Sequence, residues 1–375
     1  MAEWEIWLDD PQGNRIKVLD YVIDFTVSKV TNQSSPCVLT LSKSADFKTL
    51  RWDSVIEFWR TPNGGSKKLF NIYFLRYKGV FDDRNGRETL VLKGYDPLYL
   101  IGSPSGYGRI VAYDADNAKT KMTDQADDML KAIVTDNLGA DNTDSDRNLT
   151  SDGLTVEGDL ADGVSMTRAF AWQEMMPLFQ DIAEDCRQQG TNLYFEFLPS
   201  FGSDGLLDLK FITRTDQPRQ DRTWDSKTPV YFGKLWGNLS DAYYYEDRID
   251  EVNTVYAGGR GLGAARDVQE IEDTERSQVS IWNRREGFAY ATDQAATAGV
   301  TSRGKAYLEE HRPVKRFGGR LLDAGEFRYG IDWNWGDKVT CEYHGMQFDA
   351  IVKAVTIHVN ENGQEEMDCT VEVEE

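Results

Sequence analysis

Apolar side chains recur at every second position through both ends of the chain, and this period of two predicts strands with one buried and one wetted face. Trp4–Leu8, Tyr21–Val30, Val38–Leu41, Val55–Arg60, Leu69–Tyr77 and Thr89–Lys93 follow it, separated by turn signals such as Pro11-Gln12-Gly13-Asn14 and Pro62-Asn63-Gly64-Gly65. Short strands at this spacing predict a barrel or sandwich. From Phe327 to Val373 the chain reads as one polar-faced sheet: Val339, Cys341 and Tyr343 alternate with Lys338, Thr340, Glu342 and His344, followed by the turn His344-Gly345. Val355, Ile357 and Val359 repeat the pattern, Asn362-Gly363 supplies the positive-φ pair of a tight hairpin, and Cys369, Val371 and Val373 close the set.

The period changes in three places. Between Lys119 and Leu138, residues Met122, Ala126, Met129, Leu130, Ile133 and Val134 share a helical face, with Gly139 at the expected cap. Pro177 opens a second helix lined by Leu178, Phe179, Ile182, Ala183 and Cys186 and ended by Gly190. A third, about 301–312, carries Tyr307, Leu308 and His311 on one side and stops at Pro313. Residues 135–162 hold eight acidic side chains and one arginine among Gly, Asn, Ser and Thr, which predicts an exposed loop. Asn192–Leu198 and Leu206–Thr213 predict a hairpin. The fold class that follows is α+β, mainly β, with two β-barrel-like domains and an α+β insert. The predicted divisions are 1–100, 101–232 and 233–375.

Length and charge narrow the function classes. A chain of 375 residues exceeds one small core and predicts two or three domains. The 63 acidic against 42 basic residues give a net charge of −21, which argues against a dedicated DNA-binding surface, because phosphate binding needs a cationic footprint. No apolar run reaches the roughly 18 residues that cross a bilayer, and the acidic start Met1-Ala2-Glu3-Trp4-Glu5 is unlike a signal sequence, so no membrane anchor and cytoplasmic synthesis are expected.

Candidate chemistry is sparse. Gly258-Gly259-Arg260-Gly261-Leu262-Gly263 follows a strand but places its glycines wrongly for a dinucleotide loop and precedes a charged segment. Asp144, Asp146 and Asn148 offer oxygen donors at alternate positions, as a calcium loop begins, but Leu149 stands where such a loop needs glycine and Thr155 where it needs a bidentate glutamate. His311, His344 and His358 lack metal-type spacing, and Cys37, Cys186, Cys341 and Cys369 lack a CxxC pair, so they are expected as small buried thiols. The expectation is therefore no catalytic residue, no cofactor and no enzyme activity. Tyr243, Tyr244 and Tyr245 cannot all face one way on a strand; with Trp333 and Trp335 they are the interface candidates.

Four segments carry a family resemblance: Trp335-Gly336-Asp337-Lys338-Val339 after an aromatic-rich approach, Asp250–Gly259, Thr301–Glu310 and Leu92–Ile101. Together they resemble the tail-tip or baseplate hub proteins of tailed phages, Gp37-like and related to contractile-tail baseplate hubs. The resemblance implies a structural protein of the virion, assembled in the bacterial host cytoplasm as a homotrimer. Two similar β domains per subunit would form a pseudo-sixfold ring around the DNA exit channel. Its implied partners are the distal tail protein, tail tube and tape-measure proteins on one side and tip or fibre proteins on the other, with DNA passing through unbound. The alternative is a carbohydrate- or peptidoglycan-binding or hydrolysing module, in which clustered Trp and acidic residues form a sugar cleft.

Overall fold

The computed structural model describes residues 2–42, 47–48, 50–82, 86–111, 120–142, 144–187, 189–203, 205–292, 296–321 and 327–373. Lys119, the expected start of the first helix, lies outside them. The chain forms two compact units: Met1–Cys186, Thr191–Tyr243 and Phe317–Glu375 make the larger, Arg187–Gly190 and Tyr244–Arg316 the smaller.

Alternation at the N-terminus produces β1 (Glu3–Asp9), β2 (Arg15–Val18), β3 (Val22–Val30), β4 (Pro36–Leu41), β5 (Val55–Thr61), β6 (Lys68–Asp82) and β7 (Glu88–Tyr95). They pair in the order β2-β1-β5-β6-β7-β4-β3. β1 and β3 are far apart in that order, yet Trp4 and Phe25 have ring centroids 5.1 Å apart. The sheet is therefore rolled on itself around Phe25, Phe58 and Tyr73, as expected of a barrel-like domain.

The middle of the chain holds β8 (Ile110–Val111), β9 (Thr120–Gln125), α1 (Ala126–Leu138), β10 (Leu154–Val156), β11 (Ser165–Phe170), β12 (Gln173–Glu174), α2 (Met175–Arg187), β13 (Leu193–Phe201) and β14 (Leu207–Thr215). Both helices bury their apolar stripes against the β13–β14 hairpin, with Phe179 5.5 Å from Phe195 and 5.9 Å from Phe211. Helix α1 begins at Ala126, later than its period predicts, because residues 120–125 pair with β11 as a strand. The acidic stretch is not wholly loop: Leu154 is buried, and Leu154–Val156 adds to β14 in parallel.

The chain continues through β15 (Asp221–Arg222), β16 (Tyr231–Gly233) and β17 (Leu239–Asp247). The smaller unit follows as β18 (Thr254–Gly258), β19 (Val268–Glu272), α3 (Thr274–Ser277), β20 (Glu286–Tyr290) and α4 (Thr297–Glu310). Its sheet runs β19-β18-β20, and α4 covers it with Val300, Gly304 and Leu308, with Tyr307 half-buried against the same core. Gly304 permits this approach, since a Cβ there would stand 2.5 Å from Ile271 Cδ1.

β21 (Val314–Leu321), β22 (Lys338–Tyr343), β23 (Met346–Val359) and β24 (Glu365–Val373) complete the larger unit. Residues 327–337 are turns instead of the expected strand: Gly330 and Gly336 take φ of +83° and +84°, and the Asp332 carboxylate caps the Arg328 amide at 2.8 Å. Residues 360–364 connect β23 to β24, and among them Gly363 alone has positive φ; Asn362 does not. Phe317 of β21 packs 6.2 Å from Tyr343 of β22 although β24 and β23 lie between them in the order, so this sheet curls too.

Strand β23 joins the two curls. Its first half, Met346–Ile351, pairs with β22, and its second half, Ala354–Val359, pairs with β3 along Val30–Phe25. A bulge between Val352 and Ala354 separates the halves, with Lys353 at the register shift of the β24 ladder. The Lys353 carbonyl there accepts from the Thr31 amide at 2.9 Å, just past β3, and from Trp335 Nε1 at 3.1 Å, just before β22. Fourteen strands among the described residues thus form one hydrogen-bonded sheet. This differs from the division into 1–100, 101–232 and 233–375: the two ends share a sheet, and 244–316 separates from the C-terminal strands.

Trp335 ties down the junction, so Trp335→Ala is expected to destabilise the protein by about 3–5 kcal/mol through lost burial and a cavity, and Trp335→Phe by about 1–2 kcal/mol, mainly the lost hydrogen bond. Urea unfolding read by circular dichroism checks both values, and an unchanged midpoint for Trp335→Ala would contradict the assignment.

Candidate assembly surface and buried ionisable clusters

The sequence-predicted interface residues separate. Trp333 and Trp335 are buried: Trp333 stacks edge-on with Phe232 and Tyr329, each at 4.9 Å, and Trp335 lies between Lys29 Nζ at 4.5 Å and the Arg219 guanidinium at 5.0 Å. They serve the core because the turns around Gly330 and Gly336 fold the aromatic segment inward. The tyrosine run stays at the surface. Tyr243 and Tyr245 are exposed on one side of β17, whereas Tyr244 is half-buried and donates its hydroxyl to Glu246 Oε1 at 2.6 Å.

A second aromatic group was not singled out by sequence. Tyr231 stands 4.8 Å from Trp224, 5.2 Å from Trp236 and 5.3 Å from Phe327, and Leu235 beside Trp236 is 84% exposed. Three of these rings come from residues 224–236, and the fold brings the fourth, Phe327, to them. Gly233 makes room for the packing, since a Cβ there would meet the Trp236 ring at 2.7 Å.

Asp144 and Asn148 spend side-chain oxygens on local turns, and Asp146 enters through its backbone amide. Asp144 Oδ1 accepts from the Asp146 amide at 3.0 Å, and Asn148 Oδ1 accepts from the Thr150 amide at 3.0 Å. Beside them lies an open groove of about 540 Å³ lined by Asp124, Asp128, Lys131, Glu157 and Asp159 with small and aliphatic residues. Lys131 offsets part of its charge, at 2.9 Å from Asp127 and 3.7 Å from Asp128 and donating to the Gly158 carbonyl at 3.0 Å. Burial, then a hydrogen bond shared with Asp159, pushes Asp128 up to about 6; the same bond lowers Asp159. No aromatic ring lines the groove.

The glycine loop joins β18 to β19, and Arg266 donates to the Gly258 and Gly259 carbonyls at 3.1 and 3.2 Å. Cys37, Cys186, Cys341 and Cys369 are buried free thiols, each raised above the usual thiol range by burial.

The most perturbed carboxyl near the surface strands is Asp9, at the end of β1. It is fully buried, neither oxygen has a hydrogen-bond donor, and its polar neighbour is Glu57, itself held by Arg15 through two bonds of 2.8 Å. Burial first, then the hydrogen bond to and charge of Glu57, raise Asp9 to about 8. A proton on Asp9 turns an orphan acceptor into a donor toward Glu57. Position 9 reads in sequence as a solvated strand end, so this pair was not legible.

Comparison with known proteins places these features. The family model described as Siphovirus ReqiPepy6 Gp37-like protein matches residues 3–371. No curated protein matches the chain. Among solved structures, the 43 kDa tail protein of prophage MuSo2 from Shewanella oneidensis is 12% identical with a TM-score of 0.58, covering 98% of each chain. A tail protein from Neisseria meningitidis MC58 is 9% identical with a TM-score of 0.55, covering 100% of this chain and 96% of that one. Prophage tail protein gp18 from Listeria monocytogenes EGD-e is 12% identical at 0.52, covering 98% and 94%. These likenesses show a shared fold.

Asp9 holds a proton in the folded state that the unfolded chain releases near the ordinary carboxyl value of about 4, so its contribution to stability falls as pH rises from about 4 to about 8 and is then level. Asp9→Asn removes that dependence. Relative to the natural protein, Asp9→Asn is expected to gain stability steadily across that window in urea titrations, and a constant difference would refute the buried-proton assignment.

Proposed function

The chain belongs to the siphovirus ReqiPepy6 Gp37-like protein family, and on that premise we propose that it is a structural hub at the distal end of a phage tail. The observation that carries the reading is a family match spanning almost every residue, joined to a fold shared with tail proteins over nearly the whole of both chains. In this reading three copies form a ring that joins the tail tube and distal tail protein, with the tape-measure protein, to tip or fibre proteins. The ring surrounds the channel through which DNA leaves.

Three physical features support it. The two rolled sheets sharing β23 supply two barrel-like modules per copy, which three copies would set out as six around an axis. Exposed aromatic and aliphatic side chains, Trp224, Leu235, Trp236, Tyr243 and Tyr245 among them, offer contact area of the kind assembly interfaces use. A net charge of −21 repels phosphate, so DNA would slide past without being held. The role is architectural and needs no catalytic group.

Light scattering and electron microscopy of the purified protein test the proposal. The expected outcome is a threefold particle with a central opening; a strictly monomeric protein at high micromolar concentration would contradict it.

A further inference from the structure

We propose that copies of this chain meet through two unlike surfaces: the uncovered face of the smaller unit's sheet in one copy, and the turn Lys234-Leu235-Trp236 of the larger unit in the next. The proposal rests on the hub reading only in expecting copies to meet; which surfaces meet is argued from each unit by itself.

Helix α4 covers one face of the β19-β18-β20 sheet, and the side chains that alternate with its contacts stand on the other. Strands β18 and β20 pair in parallel, an arrangement usually covered on both faces, yet here the second face is open. The registers sort that face into two ends. Val268, Gly258 and Tyr290 lie side by side, then Glu270, Tyr256 and Phe288, then Glu272, Thr254 and Glu286. A Cβ on Gly258 would stand 2.5 Å from the Phe288 ring and 2.7 Å from the Arg266 guanidinium, so its absence lets both lie down on the strand. Tyr290, 73% exposed, Val268 and Phe288 make this end apolar. The other end is acidic: Arg284 reaches Glu270, Glu272 and Glu286 at 2.7, 3.3 and 2.7 Å, one cation for three carboxylates, and the Glu270 and Glu286 side chains stay 50% exposed. Arg266 lies at the apolar end with its donors on the Gly258 and Gly259 carbonyls, so the surplus of negative charge sits at the Arg284 end.

The Lys234 turn is the complement. Leu235 is 84% exposed, and the turn is held in place by Trp236, whose ring rests 5.2 Å from Tyr231, and by Gly237 at a φ of +66°. Lys234 is exposed and has no ionic partner among the described residues. Asp225 and Lys227, exposed beyond Trp224, leave the local sum unchanged. Apolar and charged groups are adjacent on both surfaces: setting Leu235 and Trp236 on Val268, Phe288 and Tyr290 brings Lys234 over Glu270. Two acidic sheet faces repel each other, whereas the sheet face and the lysine turn attract. In a chain with a net charge of −21, an unpaired lysine on an apolar turn is the exception that this face fits. The contact is head to tail, each copy using both surfaces, and such contacts close into rings when the rotation between copies divides the circle.

Cross-linking tests this directly, because the four natural cysteines are buried and leave engineered thiols as the reactive ones. Leu235→Cys and Val268→Cys, both at exposed positions, are prepared separately and treated with a flexible bismaleimide alone and mixed. The expected result is covalent dimers in the mixture and none in either variant alone. Both substitutions in one chain, treated at high dilution, are expected to give no link within that chain; an internal link would mean that the turn covers its own copy's sheet. A second arm, Lys234→Glu, is expected to weaken association about tenfold at low ionic strength and less at high salt. If the natural protein associates but the mixture does not link, or one variant links to itself, or the double variant links internally, or Lys234→Glu associates normally, the contact is overturned and the hub reading stands. If the natural protein stays monomeric, both fall.

Discussion

The larger unit depends on one irregularity: the bulge at Lys353, where a single long strand changes partners. Strand β23 pairs with β24 along one side, but its other side is divided between β22 and β3. Two strands cannot occupy one edge in series unless the chain between them is accommodated. The Lys353 carbonyl does this by accepting from both Thr31 and Trp335, so the end of one partner and the approach to the other meet at one atom. A rolled sheet from the N-terminus and another from the C-terminus thereby become one hydrogen-bonded body.

Side chains reinforce that junction at a distance from it. Arg60 on β5 makes a bidentate pair with Glu365 at the start of β24, at 3.0 and 2.9 Å, and donates to the Tyr329 carbonyl at 2.7 Å. Both partners are almost fully buried, so the pair specifies geometry more than it adds stability, and losing either member would strand a buried charge. Near Trp335, Lys29 lies 3.6 Å from Glu196, which also binds Arg219 at 2.5 Å; burial lowers the lysine from its ordinary range and the carboxylate counters this. These ionic contacts link β3, the β13–β14 hairpin and the 218–220 segment, fixing the α+β insert to the sheet.

Local pattern made much of this legible. β1 and β3–β7 lie close to where alternation puts them, and α2 buries the five residues its period selects. What sequence missed is non-local or depends on single dihedrals. Residues 327–337 have strand composition, yet two glycines at positive φ turn them into loops, which moves Trp333 and Trp335 from surface to core. The Ala354–Val359 ladder to Val30–Phe25 spans most of the chain, and no local period announces it, so the ends read as separate domains. Helix α4 resembles an interruption of a β domain in sequence but covers the sheet of its own unit. The tyrosine run was legible as a surface feature because three successive rings on one strand cannot all face one way; the place of Phe327 beside Trp224, Tyr231 and Trp236 was not, since it reaches them only through the fold.

The central claim is that the β3–β23 ladder makes two rolled sheets one cooperative body. Native-state hydrogen exchange resolved to single amides tests it most directly. The account predicts that ladder amides in 25–30 and 354–359 exchange only through global opening of the larger unit, with the same free energy and denaturant dependence as core amides of β5 and β22. Exchange of either rolled sheet through its own opening, with the ladder amides released first, would contradict it.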